Sequence, residues 1–247
     1  MTPELWLLVG GAVVAGFVQG LSGFAFGMVA MSIWVWGVEP RVATVMAVSG
    51  GLTGQIVAAV SMRRGLRLAM LWPFLAGALV GIPIGVALVP HMNAALFKLT
   101  LGALLVVFCP AMLLAPRFPR VQFGGRVADG VAGAAGGVMG GIGGFTGVVP
   151  TLWCTLRGYE KDVQRSLIQN FNLAALTMTL AAYFASGNVT REMLPMFALV
   201  APALLIPSLL GARIYVGLSE TAFRRVVLAL LTASGVTMVL SSLPAVL

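Results

Sequence analysis

The chain has 247 residues, of which 60% are hydrophobic, 31 are glycine, and only 15 are basic and 7 acidic. A water-soluble domain of this size carries about 25% charged residues to cover its surface, against 9% here. With a mean hydropathy of +1.03, this excludes a soluble enzyme, a disordered chain and a nucleic-acid-binding domain. The formal charge of +8 has another meaning, because the basic residues sit in short clusters between apolar runs, as in a multi-pass membrane protein. Two cysteines, Cys109 and Cys154, make no disulfide framework, and with His91 the only histidine a His/Cys zinc site is not credible. No metal or other cofactor is expected.

A spanning helix needs roughly 20 mostly apolar residues. In chain order the runs are Leu5–Val38, Val42–Met62, Leu68–Val89, Ala94–Ala115, Val127–Leu156, Val163–Ser186, Leu194–Val216 and Thr221–Leu243. Six have the length of one helix. The first and fifth, at 34 and 30 residues, are too long for one, and both are dense in glycine. No stretch between runs is long enough for a separate soluble domain. The N-terminus lacks the basic region of a signal peptide and carries only Glu4.

Basic loops belong in the cytoplasm. Arg63, Arg64 and Arg67 put the loop after the second run inside; Arg117, Arg120 and Arg126 do the same for the central loop, and Arg157, Lys161 and Arg165 for the next. His91 and the Asn188–Glu192 loop fall outside, Arg213, Arg224 and Arg225 inside, and both termini outside. The first run then starts and ends outside, and the fifth starts and ends inside. Each is predicted to be a hairpin broken at its glycines. Folding the first run in half gives two arms of about 24 Å at 1.5 Å per residue, marginal for two full crossings, so at least one arm is expected to be short.

The two halves resemble each other. Ala15–Gly27 aligns with Ala132–Gly144 at a constant offset of 117, matching glycines at 16/133, 20/137, 23/140 and 27/144. Gly85, Phe97 and Lys98 pair with Gly211, Phe223 and Arg224 at offset 126. Two matches in the same order indicate a duplication, with 1–117 as the first repeat and 118–247 as the second. The charge pattern gives the repeats opposite orientations. The fold class expected is therefore an all-α integral membrane protein of two inverted repeats, each a Gly-broken helix hairpin plus three transmembrane helices, the usual plan of secondary transporters.

Most of the glycines serve close helix packing. The breaks themselves, at Phe24–Gly27 and Gly141–Gly147, are candidates for a binding site, because the N-terminus of a half-helix presents backbone donors and a positive dipole. Ser22, Gly23, Gly27, Gly143, Gly144 and Thr146 belong to these breaks, and Pro150 suits the start of a short helix. The sixth run adds three amides, Gln169, Asn170 and Asn172, in an apolar helix. Arg165, Gln169 and Asn172 share one face at i, i+4 and i+7. Such amides either bridge helices or donate to a small polar solute. Ser49 and Gly51 are their counterparts in the first half at offset 121, with Thr53 and Gln55 beyond, and Gln19 is a lone amide in the first hairpin. Arg165 is either a cytoplasmic anchor or an attractor for an anion. All seven acids fall at run ends or in loops, which argues against a cation or an internal proton relay. Gly20-Leu21-Ser22-Gly23 matches the serine setting of intramembrane rhomboid-type proteases, but such an enzyme needs a base beside its serine, and His91 lies in a loop.

Ala15–Gly27, Ala132–Gly144 and the closing segment Gly211-Ala-Arg-Ile-Tyr-Val-Gly-Leu-Ser-Glu-Thr-Ala-Phe-Arg-Arg-Val resemble the TauE/SafE, or sulfite exporter, family over essentially the whole chain. Ala25-Phe26 stands where that family has a Gly-rich turn, and Ala30-Met31 where a Pro often lies, leaving the first break either less open or contacted by Phe26. The resemblance implies a multi-pass transporter in the cell (inner) membrane for a small anion, sulfite or an organosulfonate such as sulfoacetate, with the lipid bilayer and at most a second copy of the chain as partners. A non-transporting membrane scaffold or assembly protein is the rival reading, and a proton-coupled carrier of small carboxylates, using Asp129, a third.

Overall fold

A computed structural model describes residues 3–22, 25–61, 65, 67–214 and 220–246. Gly23, Phe24, Arg63, Arg64 and the closing segment from Tyr215 to Ser219 lie outside the described residues, as do the side chains of Ser22, Arg213, Phe223 and Arg224. Ten α-helices and no strand occur among the described residues. The first five are α1 (Pro3–Ser22), α2 (Phe26–Trp34), α3 (Pro40–Ser61), α4 (Leu68–Leu88) and α5 (Ala94–Leu114). The second five are α6 (Gly125–Gly143), α7 (Val148–Leu156), α8 (Lys161–Ala185), α9 (Leu194–Ile214) and α10 (Glu220–Val246). Each of the six single-length runs is one helix, with ends within about three residues of those read from hydropathy. Each long run is two helices.

The arms of the two broken runs are unequal. In the first, 20 residues are followed by 9, and in the second 19 by 9. A nine-residue helix is about 13 Å long and cannot cross a hydrocarbon layer of about 30 Å. Both short helices fold back along their long partners. Trp34, at the end of α2, is fully buried against Gly11 of α1, and its indole N–H donates to the Leu8 carbonyl at 3.1 Å. By Gly37 the chain is again beside Leu7. In the second half, the Val121 N–H, just before α6, donates to the carbonyl of Leu156, the last residue of α7, at 2.9 Å. Each broken run thus starts and ends on one side.

The main helix pairings recur when the two sets of five are exchanged. α1 lies along α9, and its counterpart α6 lies along α4. α3 packs on α8 and α9, and α8 on α3 and α4. α5 packs on α10, with Gly102 and Gly235 facing each other across the crossing. Each long glycine-rich helix is held by the opposite half.

These crossings are close because glycines line them. On α4, Gly77, Gly81 and Gly85 recur every four residues, and a Cβ on each would lie 1.9, 2.0 and 2.2 Å from the carbonyl oxygens of Gly130, Ala134 and Val138 on α6. From the α6 side, a Cβ on Gly133 would lie 2.1 Å from the Phe74 oxygen. The counterpart crossing repeats this more loosely, with Gly16 against Leu204 and Gly211 against Phe17. The packing reading of these glycines is the observed one. Without a hydrophobic force between helices in lipid, close backbone approach is what associates them.

Among the described residues, six helices are long and apolar enough to cross a membrane: α1, α3, α4 with its short 3-10 extension to His91, α5, α9 with its preceding turn, and α10. α6 and α8 fall short of that measure, the first rich in glycine and the second in polar groups, and both pack among other helices. Large apolar side chains such as Val60, Val107 and Leu230 are exposed on the outside, as on a lipid-facing surface. The chain is a multi-pass membrane protein.

Because a methyl at position 81 has no room, Gly81→Ala is expected to destabilise the protein by about 1–3 kcal/mol. Gly10→Ala, in a helix with nothing within 4 Å of the new Cβ, is expected to be neutral or stabilising by up to about 1 kcal/mol. Thermal unfolding of the two purified variants in one detergent checks the contrast.

Candidate functional site

The two helix breaks meet. A Cβ on Gly27, in the first turn of α2, would lie 3.1 Å from the carbonyl oxygen of Gly144, which ends α6. Beside this contact is a cavity of about 20 Å³, enough for one water-sized molecule. Its wall takes Gln19 from α1, the opening residues of α2 and the break from Gly144 to Val148. Gly51 and Gln55 of α3 and Asn172 and Leu176 of α8 complete it.

The first break is closed by an amide. The residue before α2 is Ala25, which has no side-chain acceptor to cap the helix. Gln19, one turn from the end of α1, supplies it: its Oε1 accepts the Phe26 N–H at 3.0 Å. A backbone N–H can only donate, so this bond fixes which end of the amide is oxygen. The Nε2 end lies by Gly54, where a Cβ would be 2.8 Å away. Gly54 is therefore the space into which the amide fits.

The second break is built differently. α6 ends with Gly144 in the left-handed region at φ +77°, a conformation that favours glycine. The N–H groups of Gly144 and Phe145 donate to the carbonyls of Gly140 and Met139 at 2.8 and 3.3 Å, satisfying the last turn. The Tyr183 hydroxyl of α8 donates to the Gly141 carbonyl. Thr146 then donates its hydroxyl to Oδ1 of Asn172 at 2.9 Å, and Nδ2 of Asn172 would lie 2.8 Å from a Cβ on Gly147. Pro150 stands in the first turn of α7, where a missing N–H leaves no helical bond unmade.

Each break is thus clasped by one buried amide whose oxygen is engaged, Gln19 in the first half and Asn172 in the second. Both short helices direct N-terminal residues at the cavity: Phe26, Gly27 and Met28 from α2, Gly147 and Val148 from α7. The positive ends of both helix dipoles point there. No charged residue is in the wall among the described residues.

Of the residues predicted from the sequence, Gln19, Gly27, Gly144, Thr146 and Asn172 come together in this wall. Gly143 lies behind it, against the ring of Phe145. The other polar residues of α8 point elsewhere. Asn170 donates to the Gly65 carbonyl at 3.4 Å, joined there by Ser166, so these two bridge to the segment between α3 and α4. Gln169 is buried away from the cavity, and Arg165 is exposed. Ser49 bonds back to the Met46 carbonyl of its own helix at 3.0 Å. The structure describes neither Gly23 nor the side chain of Ser22. Phe26 is part of the wall, and its ring packs on Gly50 of α3 and edge-on against Trp34.

Two features differ from the sequence reading. Gln55, noted only as a polar residue of the counterpart helix, is in the wall. At offset 121 it matches Leu176, as Gly51 matches Asn172, so each half's central helix gives one amide and one non-polar residue, in opposite order. Asp129, read as a run-end residue, is a buried carboxylate in the second turn of α6 and accepts the Trp153 indole N–H at 2.7 Å. It lies outside the cavity wall.

A family model described as sulfite exporter TauE/SafE matches residues 8–238. The chain belongs to the TauE/SafE family. The match runs from α1 through α10 and includes both breaks. The match supports a membrane anion transporter. No curated protein and no solved structure matches the chain. Within this TauE/SafE member, the cavity between the breaks is the place where polar groups from both halves converge.

The clasp of the first break can be tested by itself. Gln19→Met keeps the size of the side chain and removes its acceptor, leaving the Phe26 N–H buried and unpaired. A loss of about 1–3 kcal/mol is expected in thermal unfolding.

Proposed function

We propose that the protein is a secondary transporter that exports a small anion, sulfite or an organosulfonate such as sulfoacetate, by alternating access between two inverted repeats, residues 1–117 and 118–247. The observation that carries this reading is the cavity: two helix N-termini and three amides, Gln19, Gln55 and Asn172, converge on it, and no acid lines its wall among the described residues. Because the Oε1 of Gln19 and the Oδ1 of Asn172 are already engaged, the ends that these two amides leave to a solute are donors. That polarity suits an oxyanion and disfavours a cation. Membership of the sulfite exporter family supports the substrate class.

Gln19, Gly27, Gly144, Thr146 and Asn172 are the residues proposed to hold the anion, with Gln55 beside them. An inside-negative potential favours anion efflux by about 2.3 kcal/mol per charge per 100 mV, so this transport needs no coupling carboxylate. The protein sits in the cell membrane with both termini on the non-cytoplasmic side, and the arginine-bearing central loop faces the cytoplasm.

Flux into proteoliposomes under a K⁺-diffusion potential tests the reading, with sulfite, sulfoacetate, sulfate and acetate compared. Saturable sulfite or sulfoacetate flux whose direction follows the sign of the potential is expected. Asn172→Asp keeps an oxygen for Thr146 and replaces the NH₂ donors with negative charge. At about 4 kcal/mol for like charges 4 Å apart, it should lower anion flux by a hundredfold or more. Unchanged flux in that variant would remove the anion from this cavity. Flux that instead requires an imposed pH gradient and favours acetate would point to a proton-coupled carboxylate carrier.

Orientation has its own test, with little background because Cys109 and Cys154 are buried. The exposed positions 192 and 117 carry the probes. Glu192→Cys should react with a membrane-impermeant maleimide on intact cells, and Arg117→Cys only after permeabilisation. The reverse pattern would invert the assignment.

A further inference from the structure

We infer that the outer groove between α6 and α7 binds an anionic phospholipid, with an acyl chain along the groove and the phosphate at its arginine-bearing end. The groove encloses about 540 Å³, the size of a small-molecule cleft. Val127, Val131 and Ala135 of α6 and Val149, Leu152 and Leu156 of α7 form its sides. Phe123 and Val127, at one end, are 76% and 79% exposed. This surface turns outward, to where the hydrocarbon lies in a multi-pass membrane protein.

One end of the groove is basic. The segment before α6 crosses the end of α7 there, tied by the bond from Val121 to Leu156. Arg157 donates to the Phe123 carbonyl at 3.3 Å and lies 5.8 Å from the centre of the Trp153 ring. The stem of Arg120 packs over Gly158. Arg126, between the lining residues Gly124 and Val127, lies 6.0 Å from the centre of the Trp72 ring of α4. The guanidiniums of Arg157 and Arg120 therefore lie where two apolar walls end, and Arg126 is in the first turn of α6, an arrangement that suits phosphate oxygens joined to an acyl chain. Two acids are near. Asp129 is buried behind the wall with the Trp153 indole on its carboxylate, and Glu160 is exposed three residues beyond Arg157. A second copy of the chain is a poorer occupant, since two-fold packing of this face on itself would bring like charges together.

The far side of this wall is the substrate cavity. A Cβ on Gly136 would lie 2.5 Å from the Thr146 carbonyl and 2.9 Å from the Pro150 ring, so α6 and α7 touch closely between groove and break. A lipid in the groove braces α7 where it positions Thr146. The inference does not depend on which solute is transported.

The test uses the purified full-length protein in a neutral detergent, with phosphatidylglycerol, phosphatidylcholine of the same chains, or inorganic phosphate added. Retained lipid is counted by native mass spectrometry and stability followed by thermal unfolding. Phosphatidylglycerol should be retained and raise the unfolding temperature, and the other two should not. Removing two charges with Arg120→Gln and Arg157→Gln should weaken its binding by about 30-fold, while lysine at both positions should restore most of it. Val131→Trp, which fills the groove and leaves the arginines, should also lower retention. Equal retention of both lipids, an equal effect of phosphate alone, or insensitivity to Val131→Trp would overturn the site. A disulfide between two copies through Val131→Cys in the membrane would assign the groove to a second copy instead.

Discussion

A helix that stops inside a bilayer leaves backbone donors and acceptors that hydrocarbon cannot satisfy, and each costs several kcal/mol if left alone. This chain does so twice, and the devices that repair the breaks organise what surrounds them. At the first, Gln19 reaches back to the opening N–H of α2, because the residue in the capping position, Ala25, cannot. At the second, Gly144 adopts the left-handed conformation that returns two N–H groups to the last turn of α6, and Tyr183 covers a further carbonyl. The repairs use side chains and backbone that then have to be buried, so the breaks are pressed together, Gly27 on Gly144, rather than exposed to lipid. The polar cavity is a consequence of closing the two breaks in one place.

Pressing them together requires long helices that can approach without side chains between them. The crossing of α4 on α6 does this through three glycines one turn apart, and that of α1 on α9 does it through Gly16 and Gly211. Each crossing joins opposite halves, so the breaks are positioned from across the molecule as well as by the amides of their own half. One glycine register, used twice at offset 117, supplies one helix of each crossing and runs on into the breaks.

Much of this was legible in the sequence because membrane helices are constrained by length and apolarity. Hydropathy placed the helix ends closely, and the 34- and 30-residue runs showed that something had to fold back. What could not be read was the division of each run, since glycine permits a break at several points. Pro150 marked where α7 had begun, but α2 has no such marker. The amides show a second limit. Helical spacing puts Arg165, Gln169 and Asn172 on one face, but says nothing about how that face is rotated toward its neighbours. The structure turns Asn172 into the cavity, lays Asn170 on Gly65 and leaves Arg165 at the surface. Gln55 was underweighted because its counterpart is Leu176, and a duplication alone does not reveal that the two halves contribute amides in opposite order. Asp129 shows a related limit. Its position near a run end does not tell its burial, which comes from the returning α7 laying Trp153 over it.

The size of the cavity bears on how such a site could work. At about 20 Å³ it holds a water but is tight for an oxyanion with several heavy atoms, so a solute enters only if its walls part. The walls are not equally free to do so. α1 is locked to α9 and α6 to α4 by backbone contacts that no side chain cushions, and sliding them would lose close packing along several turns. Gly27 and Gly144 meet less closely than this, a Cβ on Gly27 standing 3.1 Å from the Gly144 carbonyl oxygen, and over a single turn. α2 and α7 are nine residues each; at the cavity the first is tied by the Gln19 bond and the residues before the second by the bond from Thr146 to Asn172, while Trp34 and Trp153 anchor the helices to Leu8 and Asp129. On the proposed function, the opening that disturbs the long crossings least parts the two breaks along the Gly27–Gly144 contact, and the amides that clasp the breaks would also be the groups that meet the solute.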